Sequence, residues 1–288
     1  MSDPDCTGTD RGTTAMHAPS VTTGFATVNG TTLYYEMLGK GYPFVLIHSV
    51  SLDHRMWDDQ FTALAAHYRV VRYDLRGYGQ SARSEEKVSH ARDLYGLLQS
   101  LGITETFLLG LGLGAAIALD VVLEHPGLAN ALILASPGMG GYMPSHFMDD
   151  VQERFAPLLP AWTEAMSTGD TSELIALLLD DPIVTPLGEV ARRRVHDMLS
   201  DNAHVFLSPP PPVRQLTPPA SQRLPEVRVP TLIVVGDRDA PTVRQAADVL
   251  DASIATARKV TMPGTSHLIN MEQPDMFNRI VLDFLRSL

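Results

Sequence analysis

The feature that most constrains the fold of this chain is a glycine-rich turn between an apolar segment and an alanine-rich one. Residues 107–120 read FLLGLGLGAAIALD. The apolar start predicts a buried β-strand, whereas the alanine-rich end predicts a helix. Gly110, Gly112 and Gly114 stand at alternate positions, which indicates a turn with closely packed backbone. A strand that leads directly into a helix through such a turn is typical of α/β proteins.

The segments around this turn alternate between predicted strands and predicted helices. Strands are predicted at residues 25–28, 32–37, 44–48, 68–75, 131–135, 231–235 and 258–262. Helices are predicted at residues 56–67, 85–102, 243–250 and 274–288. This alternation predicts a mostly parallel sheet with right-handed crossovers. It is interrupted between Pro137 and Thr231, so we predict an α/β core (residues 25–137 and 221–288) with an inserted helical cap (residues 138–220).

Composition and charge restrict the class of protein. Of the 288 residues, 44% are hydrophobic and 19% charged, as expected for a globular protein with a large core. The net charge of −11 argues against a surface for nucleic acids or anionic membranes. There is no apolar run of 18 residues, so no transmembrane helix is predicted. Cys6 is the single cysteine, which leaves no intramolecular disulfide.

The N-terminal segment has no secretory signal, and the histidines have no pattern of metal ligands. Residues 1–24 are rich in Ser, Thr, Asp and Gly and lack the basic and apolar regions of a secretory signal. We therefore expect a disordered N-terminal extension on a cytoplasmic protein. The protein is expected to be a monomer or a homodimer. The histidines have no metal-ligand spacing, so neither a metal nor another cofactor is expected.

Five segments in order resemble the α/β-hydrolase superfamily. They are His48-Ser49, where the family has a His-Gly pair beside the oxyanion hole, residues 74–81 (D-x-R-G-x-G-x-S), 110–114, 230–239 and 266–274. The resemblance covers nearly the whole chain after residue 24. It implies an α/β-hydrolase fold, with a mostly parallel central sheet flanked by helices and an inserted helical cap. Residues 48–60 and 268–284 are most similar to 3-oxoadipate enol-lactonases.

The resemblance implies a catalytic site in which one side chain is missing. The family's G-x-S-x-G turn carries a nucleophilic serine, and here that position is Gly112. His267 corresponds to the family's general base and Asp239 to the acid that orients it, while Asp237 is expected to cap the turn. An acyl-enzyme cannot form on Gly112. The missing side chain should leave space for about one water molecule beside the imidazole.

The same resemblance implies the groups around the reacting carbonyl. The backbone N–H groups of Leu113 and Val50 correspond to the oxyanion hole. Ser49 and Ser51 lie near it, and either could contact substrate or replace the missing hydroxyl. Substrate contact is favoured for both, because their loop is expected to point N–H groups at the site.

The predicted cap supplies apolar side chains for ligand binding. Trp162 and Phe147 are predicted to line an apolar pocket above the core. The expected partner is therefore a small molecule with an apolar body and a carbonyl end.

Three functions remain open at this point. One is an enzyme in which His267 and Asp239 act as a general base on a small hydrophobic lactone, ester or activated carbonyl. It would direct water to the carbonyl, or drive elimination, cyclisation or isomerisation by proton transfer. The others are a serine ester or lactone hydrolase inactivated by a Ser→Gly change, and a non-catalytic binding protein. Because a pure binder needs neither a base nor an acid, their retention favours an enzyme.

Overall fold

An eight-stranded sheet is the framework of the molecule in the computed structural model, which describes residues 20–83, 88–143, 152–154, 156–182, 184–207 and 212–288. The strand order is β1-β2-β4-β3-β5-β6-β7-β8. The strands are β1 (Thr22–Val28), β2 (Thr31–Leu38), β3 (Pro43–Ile47), β4 (Arg69–Tyr73), β5 (Thr106–Leu111), β6 (Ala129–Ala135), β7 (Thr231–Gly236) and β8 (Ala257–Met262).

The direction of the strands follows from the connections between them. β1 and β2 form an antiparallel hairpin through Asn29 and Gly30, whose positive φ angles of 45° and 72° suit a two-residue turn. β2 pairs antiparallel with β4, and all other neighbours in the sheet pair in parallel. A mostly parallel sheet whose central strands are continuous apolar runs is buried on both faces. The predicted fold class is confirmed.

Helices cover both faces of this sheet. They are α1 (Asp58–Ala65), α2 (His90–Ser100), α3 (Leu113–Glu124), α4 (Leu159–Thr168), α5 (Ser172–Leu179), α6 (Glu189–Asp201), α7 (Pro241–Ser253), α8 (Ile269–Glu272) and α9 (Pro274–Arg286). One buried cluster joins the sheet to α2, α3 and α7. A second cluster joins the opposite face to α1, α9 and the helices α4 to α6. None of the helices in the described ranges is long and apolar enough to cross a membrane.

The prediction that the N-terminal extension reaches residue 24 is wrong. β1 begins at Thr22, and Thr22, Thr23 and Gly24 pair with residues 35–37 of β2. Sequence reasoning missed this start because an edge strand with exposed polar residues carries no apolar alternation. Residues 1–19 lie outside the described part of the chain.

The regular secondary structure of the described residues between 138 and 220 is helical, whereas residues 138–143 and 212–219 form no helix. The described residues of this segment form α4, α5, α6 and short 3-10 turns. They take part in one isolated β-bridge, which joins Val213 to Val88. The role of this segment as a separate cap over the site stays a prediction.

Candidate active site

The turn between β5 and α3 places Gly112 at the carboxyl edge of the sheet. Gly112 has φ 57° and ψ −112°, a conformation that residues with a Cβ atom rarely adopt. Its N–H donates to the carbonyl of Ala135 (3.0 Å), and its own carbonyl accepts from Ala116 and Gly138 (both 3.2 Å). Three backbone hydrogen bonds therefore fix the direction in which position 112 points.

The flanking glycines are required for a different reason. A Cβ atom on Gly110 would overlap the backbone of Gly114, and one on Gly114 would overlap the carbonyl of Ile47 at the end of β3. Close packing of the turn against itself and against β3 therefore leaves no room for a side chain at either position.

His267 and Asp239 meet at the loops that follow β8 and β7. His267 Nδ1 lies 3.0 Å from Oδ1 and 3.1 Å from Oδ2 of Asp239. The Asp239 side chain is fully buried, and its Oδ1 also accepts from the backbone N–H of Ala240 (2.8 Å). A buried carboxylate beside Nδ1 favours the tautomer with its proton on Nδ1, which leaves Nε2 free to accept a proton.

The free nitrogen of His267 faces the turn. A Cβ atom built on Gly112 would lie 3.4 Å from Nε2 of His267. The structure thus brings together the three residues that the sequence assigns to the catalytic positions.

The space beside Gly112 is not empty, which corrects the expectation of a water-sized gap. The Oγ atom of Ser49 lies 2.5 Å from the position of that same built Cβ atom. Ser49 is only 4% exposed. Its Oγ makes no hydrogen bond to any residue in the described ranges. The loop after β3 therefore places an unpartnered hydroxyl where the side chain of residue 112 would otherwise lie.

His48 holds the backbone of Ser49. His48 is fully buried, its Nε2 accepts from the N–H of Leu75 (2.8 Å), and its Nδ1 lies 2.7 Å from the Ser49 carbonyl. Since Nε2 is an acceptor, Nδ1 carries the proton and donates it to that carbonyl. Burial lowers the pKa of His48, which keeps the ring neutral in this role.

Two backbone N–H groups are free to bind an oxygen atom at this point. Within the part of the chain that the structure describes, neither Leu113 nor Val50 donates its N–H to another residue. Leu113 is the first residue of α3, where the helix dipole adds positive potential. Val50 follows Ser49 directly and is 54% exposed. Ser51 has a positive φ of 64°.

The structure describes one of the two residues that are predicted to line a pocket in the cap. The indole N–H of Trp162, in α4, donates to the carbonyl of Phe206 (2.8 Å), and its ring packs edge-on against Phe206. Its polar edge is therefore engaged within the helical segment, and contact with a ligand stays a prediction. Phe147 lies outside the described residues.

Other predicted polar residues stabilise the surrounding loops. Asp74 accepts from the N–H of His54 (2.9 Å), from His54 Nδ1 (2.7 Å) and from the N–H of Gln80 (2.8 Å). Asp237 accepts from the N–H of Gly264 (2.8 Å), as its capping role predicts. In the described ranges, Asp53, His54 and Asp74 are the one group close enough to share a metal ion, but these hydrogen bonds already occupy Asp74.

Sequence reasoning missed Glu272, which holds the segment before His267. Its carboxylate accepts from the N–H of Ser266 (2.9 Å) and from the Ser266 hydroxyl (2.7 Å). Burial raises the pKa of Glu272. The signal was present, because Glu272 lies six residues after Ser266 in the segment that carries the resemblance.

Comparison with known proteins gives the family context of this site. Residues 44–280 match the alpha/beta hydrolase family. A 2-hydroxy-6-oxononadienedioate/2-hydroxy-6-oxononatrienedioate hydrolase of Pseudomonas putida is 30% identical, across 88% of this chain and 91% of its own length. Among solved structures, an enol-lactonase from Burkholderia xenovorans is 25% identical, with a TM-score of 0.63 over 91% of this chain and 100% of that one. An esterase from Rhodococcus shares the fold (TM-score 0.74, 24% identity), covering 93% of this chain and 99% of its own.

Proposed function

This chain belongs to the alpha/beta hydrolase family, and on that premise we propose that it hydrolyses a small hydrophobic ester, lactone or activated carbonyl compound by general-base catalysis. The relatives are named hydrolases, esterases and lactonases, which supports an enzyme that acts at a carbonyl group. The observation that carries the proposal is the His267–Asp239 pair, with Nε2 directed at position 112.

The dyad removes a proton from the group that attacks the carbonyl carbon. Nε2 of His267 accepts this proton, and the Asp239 carboxylate stabilises the imidazolium that forms. Negative charge develops on the carbonyl oxygen at the same time. The N–H groups of Leu113 and Val50 stabilise it, because preorganised N–H donors stabilise a developing oxyanion. His267 then returns the proton to the leaving group.

The attacking group does not come from residue 112. Gly112 has no hydroxyl, so no acyl-enzyme forms there. Loss of the nucleophile in a serine protease lowers turnover by about a million-fold and leaves only about 10³–10⁴ over the uncatalysed reaction. An efficient enzyme of this type therefore needs a hydroxyl from water or from another group in the site.

The substrate is a small molecule with an apolar body and one carbonyl end. Buried apolar side chains on α4 to α6, such as Ala161, Leu174 and Met198, support an apolar body for the substrate. The dyad, the N–H pair and the Ser49 hydroxyl support one carbonyl end. Relatives include a 2-hydroxy-6-oxo-6-phenylhexa-2,4-dienoate hydrolase from Comamonas testosteroni, whose named substrate combines an aromatic body with an oxo group.

A substrate panel tests this proposal. The wild-type protein and His267→Ala are assayed on aryl esters, lactones and enol-lactones, with products identified by mass spectrometry. We expect hydrolysis products from the wild-type protein and a loss of about 10²–10⁴ in turnover in the variant. Saturable binding of these compounds by the wild-type protein without turnover would instead identify a binding protein. Products that have gained no water would identify a lyase, cyclase or isomerase.

A further inference from the structure

We propose that the hydroxyl of Ser49 is the nucleophile of this site, brought to the place of the missing elbow serine by the loop after β3. This inference rests on the proposed function, since it requires His267 as the base. In this proposal Ser49 supplies the attacking hydroxyl that Gly112 does not have.

The first support is an exchange of residue types between two positions. The resemblance to the family implies a His-Gly pair after the third strand and a serine in the centre of the G-x-S-x-G turn. This chain has His48-Ser49 at the first position and Gly112 at the second. The two positions differ from the family in opposite ways. Serine stands in place of glycine in the loop after β3, and glycine stands in place of serine in the turn after β5.

The second support is that these two positions share one space. The Ser49 Oγ lies 2.5 Å from a Cβ atom built on Gly112, a separation that side chains in proteins essentially never show. A side chain at residue 112 and the Ser49 hydroxyl in its present place exclude each other. Glycine at residue 112 therefore makes room for the hydroxyl of Ser49.

The third support is the state of that hydroxyl. The Oγ of Ser49 has no hydrogen-bond partner among the described residues, so no bond within them has to break before it attacks. The built Cβ position that it approaches is itself 3.4 Å from His267 Nε2. Hydrogen bonds between a nucleophile and its base are often long in the absence of substrate, and they tighten when substrate binds.

The fourth support is the position of Ser49 relative to its neighbours. Its carbonyl accepts from His48 (2.7 Å) and its N–H lies 3.3 Å from the sulfur of Met56, so its backbone is fixed on both sides. The next residue, Val50, offers a free N–H. In the family arrangement the residue after the nucleophile supplies an oxyanion-hole N–H, and Val50 stands in that relation to Ser49.

The reaction balances with the groups present. Oγ of Ser49 bonds to the carbonyl carbon of an ester or lactone while His267 Nε2 takes its proton. The bond from that carbon to the alkoxy oxygen breaks, and His267 gives the proton to this oxygen. Water then attacks the acyl group on Ser49 as His267 takes a proton from it. The acid leaves, and the proton returns to Ser49 Oγ.

A fluorophosphonate probe tests the proposal directly. Attack on phosphorus forms a bond to the nucleophilic oxygen, releases fluoride and transfers the proton to the base. The labelled residue is identified by peptide mass spectrometry. We expect one adduct, on Ser49, that Ser49→Ala abolishes and His267→Ala slows by at least about 10²-fold. With an aryl ester, we expect a burst of product and a fall in turnover of at least about 10³-fold in Ser49→Ala.

Two further variants serve as controls. Ser136→Ala removes another hydroxyl without a hydrogen-bond partner among the described residues, on a fully buried residue that directly follows strand β6, and should keep the labelling. The double variant Ser49→Gly/Gly112→Ser places the hydroxyl on the turn and should be labelled at residue 112. Thermal melting of each variant shows whether it is folded.

The outcomes separate the two proposals. Absence of an adduct on Ser49 in the wild-type protein, or an adduct on Ser136, overturns the Ser49 inference. If Ser49→Ala keeps its turnover while His267→Ala loses it, the attacking group is water and the proposed function stands. If neither substitution lowers turnover, both proposals are wrong.

Discussion

Nδ1 of His267 is within hydrogen-bonding distance of both carboxylate oxygens of Asp239, at 3.0 Å and 3.1 Å. The two residues are carried by different loops, one after β7 and one after β8. Because these strands are parallel neighbours in the sheet, their carboxyl ends place both loops at the same edge. The parallel pairing of β7 with β8 therefore helps to fix the orientation of the His267 ring against Asp239.

Substitution of the orienting acid should slow the reaction without unfolding the protein. Asp239→Asn replaces one acceptor oxygen by an amide donor and favours the wrong tautomer of His267, so we expect kcat to fall by about 10²–10⁴-fold. Asp237→Asn is the matched control, because Asp237 lies in the same loop but accepts from Gly264. Its kcat should stay within about twofold of wild type. An equal loss in both variants would contradict the assignment of Asp239.

The steric exclusion between Ser49 and Gly112 should appear as a coupling energy. Gly112→Ser alone forces a side chain into a positive-φ position and against Ser49 Oγ, so we expect a loss of about 1–3 kcal/mol in the free energy of unfolding. Adding Ser49→Gly removes the clash. Because the Ser49 hydroxyl is the end of a side chain that can rotate, a double-mutant cycle measured by chemical denaturation should give a favourable coupling of about 0.5–1 kcal/mol. Additive effects would show that the two side chains do not compete.

Asp120 should make the protein less stable as the pH rises. Burial in α3, with a smaller contribution from Glu124, raises the pKa of Asp120 to about 6, against 3.8 for an ordinary aspartate. Its neutral form favours the folded state, so this favourable contribution is complete below pH 4 and is lost as the pH rises through 6. Asp120→Asn should raise the free energy of unfolding at pH 8 by up to about 3 kcal/mol.

The pH dependence distinguishes this effect from a simple packing change. The difference between Asp120→Asn and the wild-type protein should shrink toward zero as the pH falls to 4. Asp251→Asn, which removes an exposed carboxylate from α7, is the control and should show no such trend. A stabilisation that is equal at pH 5 and pH 8 would contradict the role of the Asp120 charge.

Trp162 should act on substrate affinity rather than on the chemical step. We expect Trp162→Ala to raise KM by about tenfold for substrates with an apolar body and to leave kcat within a few-fold, because it removes ligand contact but no reacting group. Trp162→Phe keeps an aromatic ring while losing the hydrogen bond to Phe206, and it separates ligand contact from local structure. A fall in kcat with unchanged KM would argue against a binding role.

The sequence predicts the architecture and the dyad because both leave local signals. Apolar runs and alternating elements specify the parallel sheet, and His267 and Asp239 lie in motifs that keep their spacing. The start of β1 at Thr22 is missed because exposed edge residues carry no such pattern. The proximity of Ser49 to Gly112 could not be predicted from spacing, since it depends on how two loops, 63 residues apart, pack over the sheet.

General-base catalysis by His267 is tested by chemical rescue. The turnover of His267→Ala is measured with increasing concentrations of added imidazole, at several pH values. We expect a loss of about 10²–10⁴-fold in the variant, partly restored in proportion to the neutral form of imidazole. Full activity in His267→Ala without imidazole would show that His267 is not the general base.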